Sequence, residues 1–179
     1  MRLLSRLLIS TGILCYVLGI YNIWLINTPN RLSFQNYTYA QAPETKAIVR
    51  PTKISIKNLN VSLPIVPAEI TEGSWDTTDK GASYLATSPI PGESGNSVIY
   101  AHNWTSLFGN LTNIIPGDEV EIEFGDKSTK TFVVKLTSTV TPETTSILAP
   151  TNDKRITLYT CTGFLDSHRF VAVAILKDK

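Results

Sequence analysis

Cysteine is scarce in this chain, with two among 179 residues, at positions 15 and 161. So few thiols exclude a disulfide-stapled miniature fold and a four-thiolate zinc site. Net charge is scarce too: 16 Lys and Arg face 15 Asp and Glu, for a formal +1. That balance lacks the basic footprint of a nucleic-acid binder, and no nucleic-acid partner is expected. Histidine occurs only as His102 and His168, which leaves few candidates for an imidazole base. Internal repeats and long low-complexity segments are absent. The length suits one medium domain with a real core.

One long apolar run stands out, LLISTGILCYVLGIYNIWLI from Leu7 to Ile26, twenty residues without a formal charge. At a rise of about 1.5 Å per residue it spans roughly 30 Å, the thickness of a bilayer's hydrocarbon core. Arg2 and Arg6 precede it, and Tyr21 and Trp24 sit near its far end as interfacial anchors. The expectation is a transmembrane helix at 1–26 with the N-terminus cytoplasmic and everything after residue 30 outside. A cleaved signal peptide has a shorter apolar region, about 7–15 residues, before a small-residue site. Asn27-Thr28-Pro29 offers no such site. Cys15 then lies in the membrane and Cys161 outside it, so the two cannot pair. Setting aside Arg2 and Arg6 leaves 14 basic against 15 acidic side chains, a faintly acidic exported part.

Residues 27–50 lack apolar periodicity and contain Pro29 and Pro43, which reads as an extracellular linker. Alternatively Leu32, Phe34, Tyr37 and Tyr39 pack on the following domain or line its groove. From 51 to 179 the pattern is short strands. The segments 54–66, 97–102, 118–124, 130–140, 155–161 and 169–176 are rich in Val, Ile, Thr and aromatics. The first is expected to run on to a turn at Pro64. Helix is expected only as short pieces, near 105–110 and 77–86. The predicted fold is all-β, a closed or nearly closed antiparallel barrel of about eight strands, which removes exposed edges.

The chemistry centres on the lone exported thiol. Cys161 ends a strand and precedes the turn signal Thr162-Gly163. A thiol attacks as thiolate, so it needs an electropositive setting or a neighbouring base. His102 also follows an apolar strand. Arg169 opens the strand after the Cys161 loop and lies near the thiol if the two strands pair, where a guanidinium can stabilise a developing oxyanion. The bland alternatives are a core cysteine, a loop histidine and a surface arginine.

The string Thr157-Leu158-Tyr159-Thr160-Cys161 resembles the TLxTC signature of the sortases, membrane-anchored bacterial cysteine transpeptidases. Arg169, eight residues on, resembles their catalytic arginine. The stretch Pro91–His102 resembles the approach to their histidine, and Gly117-Asp118 a recurring turn. This resemblance implies an eight-stranded sortase-type barrel with short helices. It implies Cys161 as nucleophile, His102 as general acid/base and Arg169 as the group that holds substrate carbonyls or the oxyanion, with Thr160 as possible oxyanion support. The implied substrate is a secreted protein with a C-terminal LPxTG-like sorting signal. The implied acceptor is an amine on a cell-wall peptide precursor or a pilin lysine. No cofactor is required.

His168 is the competing base, read as a solvated loop residue. Trp104 and Phe108 are candidate substrate contacts or core packing. The loop of seven residues between Cys161 and Arg169 is short, and the Asp-Pro-aromatic motif of lidded pilin polymerases is absent before Ile54. Five acids, Asp118, Glu119, Glu121, Glu123 and Asp126, form either a possible calcium site or an ordinary solvated face. Other functions compatible with the anchor and strands are a non-catalytic β-domain binding cell-surface polymers and a hydrolytic cysteine peptidase.

Overall fold

The uncharged run near the N-terminus folds into a single helix, α1 (Arg2–Ile26). Its Arg6–Trp24 stretch has a mean hydropathy of 1.7, and none of it is buried in the rest of the chain. The polar side chains within it are satisfied locally: Ser10 and Thr11 donate to the Leu7 carbonyl, and Asn22 to that of Leu18. Such back-bonding removes the cost of carrying these groups in an apolar medium. The computed structural model describes residues 2–26, 32–34, 49–71 and 74–177.

Among the described residues the strands are β1 (Pro51–Ile56), β2 (Val61–Ala68), β3 (Ile70–Thr71), β4 (Ser74–Trp75) and β5 (Ala82–Leu85). They continue as β6 (Gly95–Tyr100), β7 (Glu119–Phe124), β8 (Thr129–Val140), β9 (Lys154–Thr162) and β10 (His168–Leu176). Two local expectations are corrected. The chain turns at 57–60 rather than at Pro64, through a short 3-10 turn and Asn60 at φ 53°, a conformation asparagine tolerates. Pro64 sits inside β2 opposite Lys53, and β5 joins the other side of β2 only from Ile65 onward, so the missing N–H breaks no ladder bond there. The piece at 77–86 is not helical but ends in β5. All four residues of β5 are buried, so it shows no alternation to mark it as a strand.

Eight strands close into a barrel in the order β1-β2-β5-β6-β9-β10-β8-β7, with β7 pairing back to β1. Six junctions are antiparallel, whereas β2–β5 and β6–β9 are parallel. The wholly antiparallel expectation is therefore corrected at two places. Parallel neighbours need long crossovers, and they finish at the same end of the barrel.

Strand alternation divides the apolar residues into two clusters. Ile54, Ile56, Ile99, Val120, Ile122, Phe132, Leu158 and Ala172 fill the barrel interior. Val98, Tyr100, Tyr159, Cys161, Val171 and Val173 point outward from β6, β9 and β10, yet they are also buried. Trp75 from the β3–β4 hairpin, Leu85, Leu148, Leu32 and Phe34 cover them. This outer face carries the candidate residue Cys161.

Candidate active site

Three strands deliver three side chains to one end of the barrel. In the parallel β6–β9 pair Tyr100 is level with Tyr159. Beyond β6 the Thr160 hydroxyl donates to the Ala101 carbonyl at 2.8 Å. His102 follows Ala101, two residues past the end of β6 and at the same end of the barrel. On the other side, Arg169 of β10 is the direct cross-strand partner of Cys161. Cys161 and Arg169 are thus neighbours on adjacent strands, about 4.8 Å apart, and His102 stands in the segment just past β6. Directly opposed residues share a face, so the Arg169 side chain rises beside the Cys161 sulfur.

Arg169 is 3% exposed and held by backbone carbonyls. Its Nη1 donates to the carbonyls of Asp166 and His168 at 2.9 and 3.0 Å, and its Nη2 to that of Ser33 at 3.1 Å. The Nε–H is buried and meets no acceptor among the described residues. A guanidinium carries five N–H donors, so this one has capacity left for another oxygen at the site.

His102 is buried, and its ring stacks on Trp104 with centroids 4.6 Å apart and planes 10° off parallel. Burial holds its imidazole below the ordinary value, opposed by the carboxylates of Asp166 and Asp79. Burial therefore favours the neutral imidazole over the imidazolium. The sign for stability follows. A histidine that protonates less readily when folded contributes fully above its unfolded value near 6.5, and that contribution is lost as pH falls through it. For activity, the acid limb of kcat/KM is expected below pH 6.5. In Asp166→Asn, which removes one carboxylate favouring the imidazolium, the limb moves lower still. Unchanged limbs in the two proteins would refute the assignment of His102 to that titration. The variant keeps a side chain that tolerates the left-handed φ of 57° at 166.

The outer face is covered by Leu32-Ser33-Phe34. Leu32 and Phe34 are 0% and 1% exposed. The Tyr159 hydroxyl donates to the Leu32 carbonyl at 3.0 Å, and the Trp75 N–H to the Ser33 hydroxyl at 3.2 Å. Phe34 meets the Tyr159 ring edge-on at 5.0 Å, and Tyr100 stacks on Tyr159 at 5.1 Å. Burial pushes the Tyr159 phenol well above its ordinary value, so it stays a donor. Of the two readings of the linker, packing on the domain holds at 32 and 34. Tyr37 and Tyr39 lie outside the described residues. Cys161 is consequently only 3% exposed, and neither cysteine forms a disulfide.

The remaining candidates are dispersed. Thr160 alternates to the barrel-interior side, and its hydroxyl fastens the end of β6 rather than facing the groove. Phe108 is fully buried in the barrel core, which is packing and not a substrate surface. Trp104 is half-buried against His102. His168 is exposed, its Nδ1 at 2.9 Å from the Ser167 hydroxyl, and alternation turns it away from Arg169. Gly163, at φ 81°, makes the tight turn after the thiol, where a Cβ would press within 3.0 Å of Ser167 and His168.

The five acids do not converge. Asp118 accepts from Asn58 and the Ile115 N–H, Glu119 and Glu123 pair with Lys177 and Lys127, and Asp126 accepts from Ser128. Among the described residues no three His, Cys, Asp or Glu side chains form a group that could hold a metal ion. Sequence reasoning missed Ser33, whose backbone carbonyl rather than its side chain engages Arg169. It also missed Asp166, one acid among fifteen. A backbone contact leaves no residue signal to find.

The sortase domain family profile matches residues 54–177. Among solved structures, sortase C-1 from Actinomyces oris is 28% identical with a TM-score of 0.63, covering 72% of this chain and 73% of its own. Sortase A from Corynebacterium diphtheriae is 27% identical with a TM-score of 0.64, covering 90% and 81%. Sortase A from Listeria monocytogenes, 24% identical with a TM-score of 0.58 over 73% and 88%, shares the fold. No curated protein sequence matches at a significant level. A barrel of sortase topology, matched by the family profile over most of its length, makes this chain a member of the sortase family.

Proposed function

We propose that the chain is a membrane-anchored cysteine transpeptidase that cleaves an LPxTG-like C-terminal sorting signal and passes the protein to an amine. The observation that supports this reading is the direct cross-strand pairing of Cys161 with Arg169, with His102 two residues past the end of β6, the strand on the other side of β9. The Cys161 thiolate attacks the threonine carbonyl, and the oxyanion that forms takes the vacant Arg169 Nε–H. His102, made imidazolium by taking the Cys161 thiol proton, protonates the departing glycine amine, and the Cys161 thioester remains. An acceptor amine then attacks, gives its proton to His102 and releases the thiolate. No metal or organic cofactor enters these steps.

The parts are an anchor at 1–26 with its N-terminus cytoplasmic, a linker at 27–50 and an extracellular catalytic domain at 51–179. The acceptor is a cell-wall peptide amine or a pilin lysine. The test is product analysis of an LPxTG peptide with and without added amine. Transfer product rising with amine at the expense of hydrolysis supports the transferase. Hydrolysis that ignores the amine means a peptidase, and no thioacyl adduct on folded protein means a binding module.

The sorting peptide must displace Leu32-Ser33-Phe34 to reach the outer face of β6 and β9. The missing Asp-Pro-aromatic motif does not leave this groove bare, because apolar burial and a backbone carbonyl do the covering. Fully burying one such side chain is worth about 1.5–3 kcal/mol. Leu32→Ala with Phe34→Ala is therefore expected to speed alkylation of Cys161 by roughly 10- to 100-fold or more. An unchanged alkylation rate would mean that the segment does not limit access to the thiol.

A further inference from the structure

Between Cys161 and Arg169 the backbone does something costly. Leu165 and Asp166 both lie in the left-handed region, at φ 52° and 57°, without being glycine. Two contacts hold the turn there: Arg169 Nη1 takes the Asp166 carbonyl, and Asn103 Nδ2 donates to the Asp166 carboxylate at 3.1 Å. The result is that Phe164 projects from the rim of the active site 84% exposed, with Leu165 43% exposed beside it. Residues 161–165 carry no charge. A strained turn that spends a phenylalanine on water needs something to cover it.

Two features of the chain place that cover. The helix α1 passes within 8 Å, Cα to Cα, of the Phe164–Asp166 turn. It also ends at Ile26, while Leu32 is already buried on the outer face beside Tyr159. Six covalent steps join them, a reach of at most roughly 22 Å. Whatever membrane holds α1 therefore lies close to this end of the barrel.

We propose that Phe164 and Leu165 insert into the interfacial layer of the bilayer next to α1, so that the active-site rim works at the membrane surface. This rests on the reading of α1 as a membrane anchor. An uncharged aromatic-aliphatic pair suits that layer, where apolar side chains are covered while the backbone stays near polar headgroups. The occupant is lipid: the turn faces the anchor's own surroundings.

The test uses the full chain in nanodiscs holding one copy each, as wild type and as Phe164→Trp, with and without brominated acyl chains. Wild-type emission contains Trp24 of α1, so its quenching reports anchoring. The expected result is an added tryptophan signal, blue-shifted and mostly lost in brominated discs. An added signal that is red and unquenched, in discs where Trp24 is quenched, overturns the proposal while the anchor stands. A blue shift that needs two copies per disc and ignores bromine assigns the patch to a second copy and also overturns it. A wild-type chain that fails to stay with the discs removes the anchor and this proposal together.

Discussion

Replacing Cys161 by alanine is expected to cut sorting-peptide cleavage by at least about 10⁴-fold with the barrel intact, because the step it removes is bond formation itself. The side chain lies in an apolar cluster with Val171, Val173 and Tyr159, where losing one sulfur changes little volume. Stability and activity should therefore separate: Tm nearly unchanged, thioacyl adduct absent by mass spectrometry. His102→Ala is expected to lose about 10²- to 10⁴-fold, the range for a positioned acid–base group. Its effect should fall mainly on amine departure and acceptance. His168→Ala is the control, since its imidazole is exposed and bonded to Ser167, and only a modest change is expected. Full activity in His102→Ala, with loss in His168→Ala, would reverse the assignment.

Arg169 is expected to behave differently, because its guanidinium has two jobs. Arg169→Lys keeps the charge but loses the planar fork that spans the carbonyls of Asp166, His168 and Ser33. Losing an oxyanion donor costs about 10²- to 10³-fold in kcat, and that is the loss expected here. Arg169→Ala should add a stability cost, since the half-buried turn at Asp166 and His168 loses the donors that hold it. The Ser33 carbonyl is excepted, as its segment can swing away to solvent. A fall in kcat for lysine with little change in Tm, and a fall in both for alanine, is the expected pattern. Equal activity in Arg169→Lys and wild type would show that a point charge suffices and that the Nε–H takes no part.

Much of this was legible from residues alone. An uncharged run of twenty residues can only be satisfied as a helix in lipid or a core, and α1 is buried in nothing. Alternation at Val120, Ile122 and Phe124 against three glutamates marks a strand whose inner face fills the barrel. The run Thr157–Cys161 and the following Arg169 mark a candidate nucleophile and its neighbour, because strands joined by so short a connection pair with their ends together. Where both faces are buried the pattern vanished, so β5 read as a helical piece.

The sequence by itself thus determined the apolar N-terminal helix, the strand-rich class and the short roster of chemical side chains. These follow from local hydropathy and from how few cysteines and histidines there are. Tertiary structure decided who meets whom. The parallel pairing of β6 with β9, which no periodicity encodes, carries both strands to one end and brings the segment that holds His102 to the end where Cys161 lies. The same packing sends Phe108 inward, gives four of the five acids separate partners and lays Leu32-Ser33-Phe34 over the thiol. Those outcomes depend on contacts between residues as far as 136 positions apart, and on a backbone carbonyl that every residue shares.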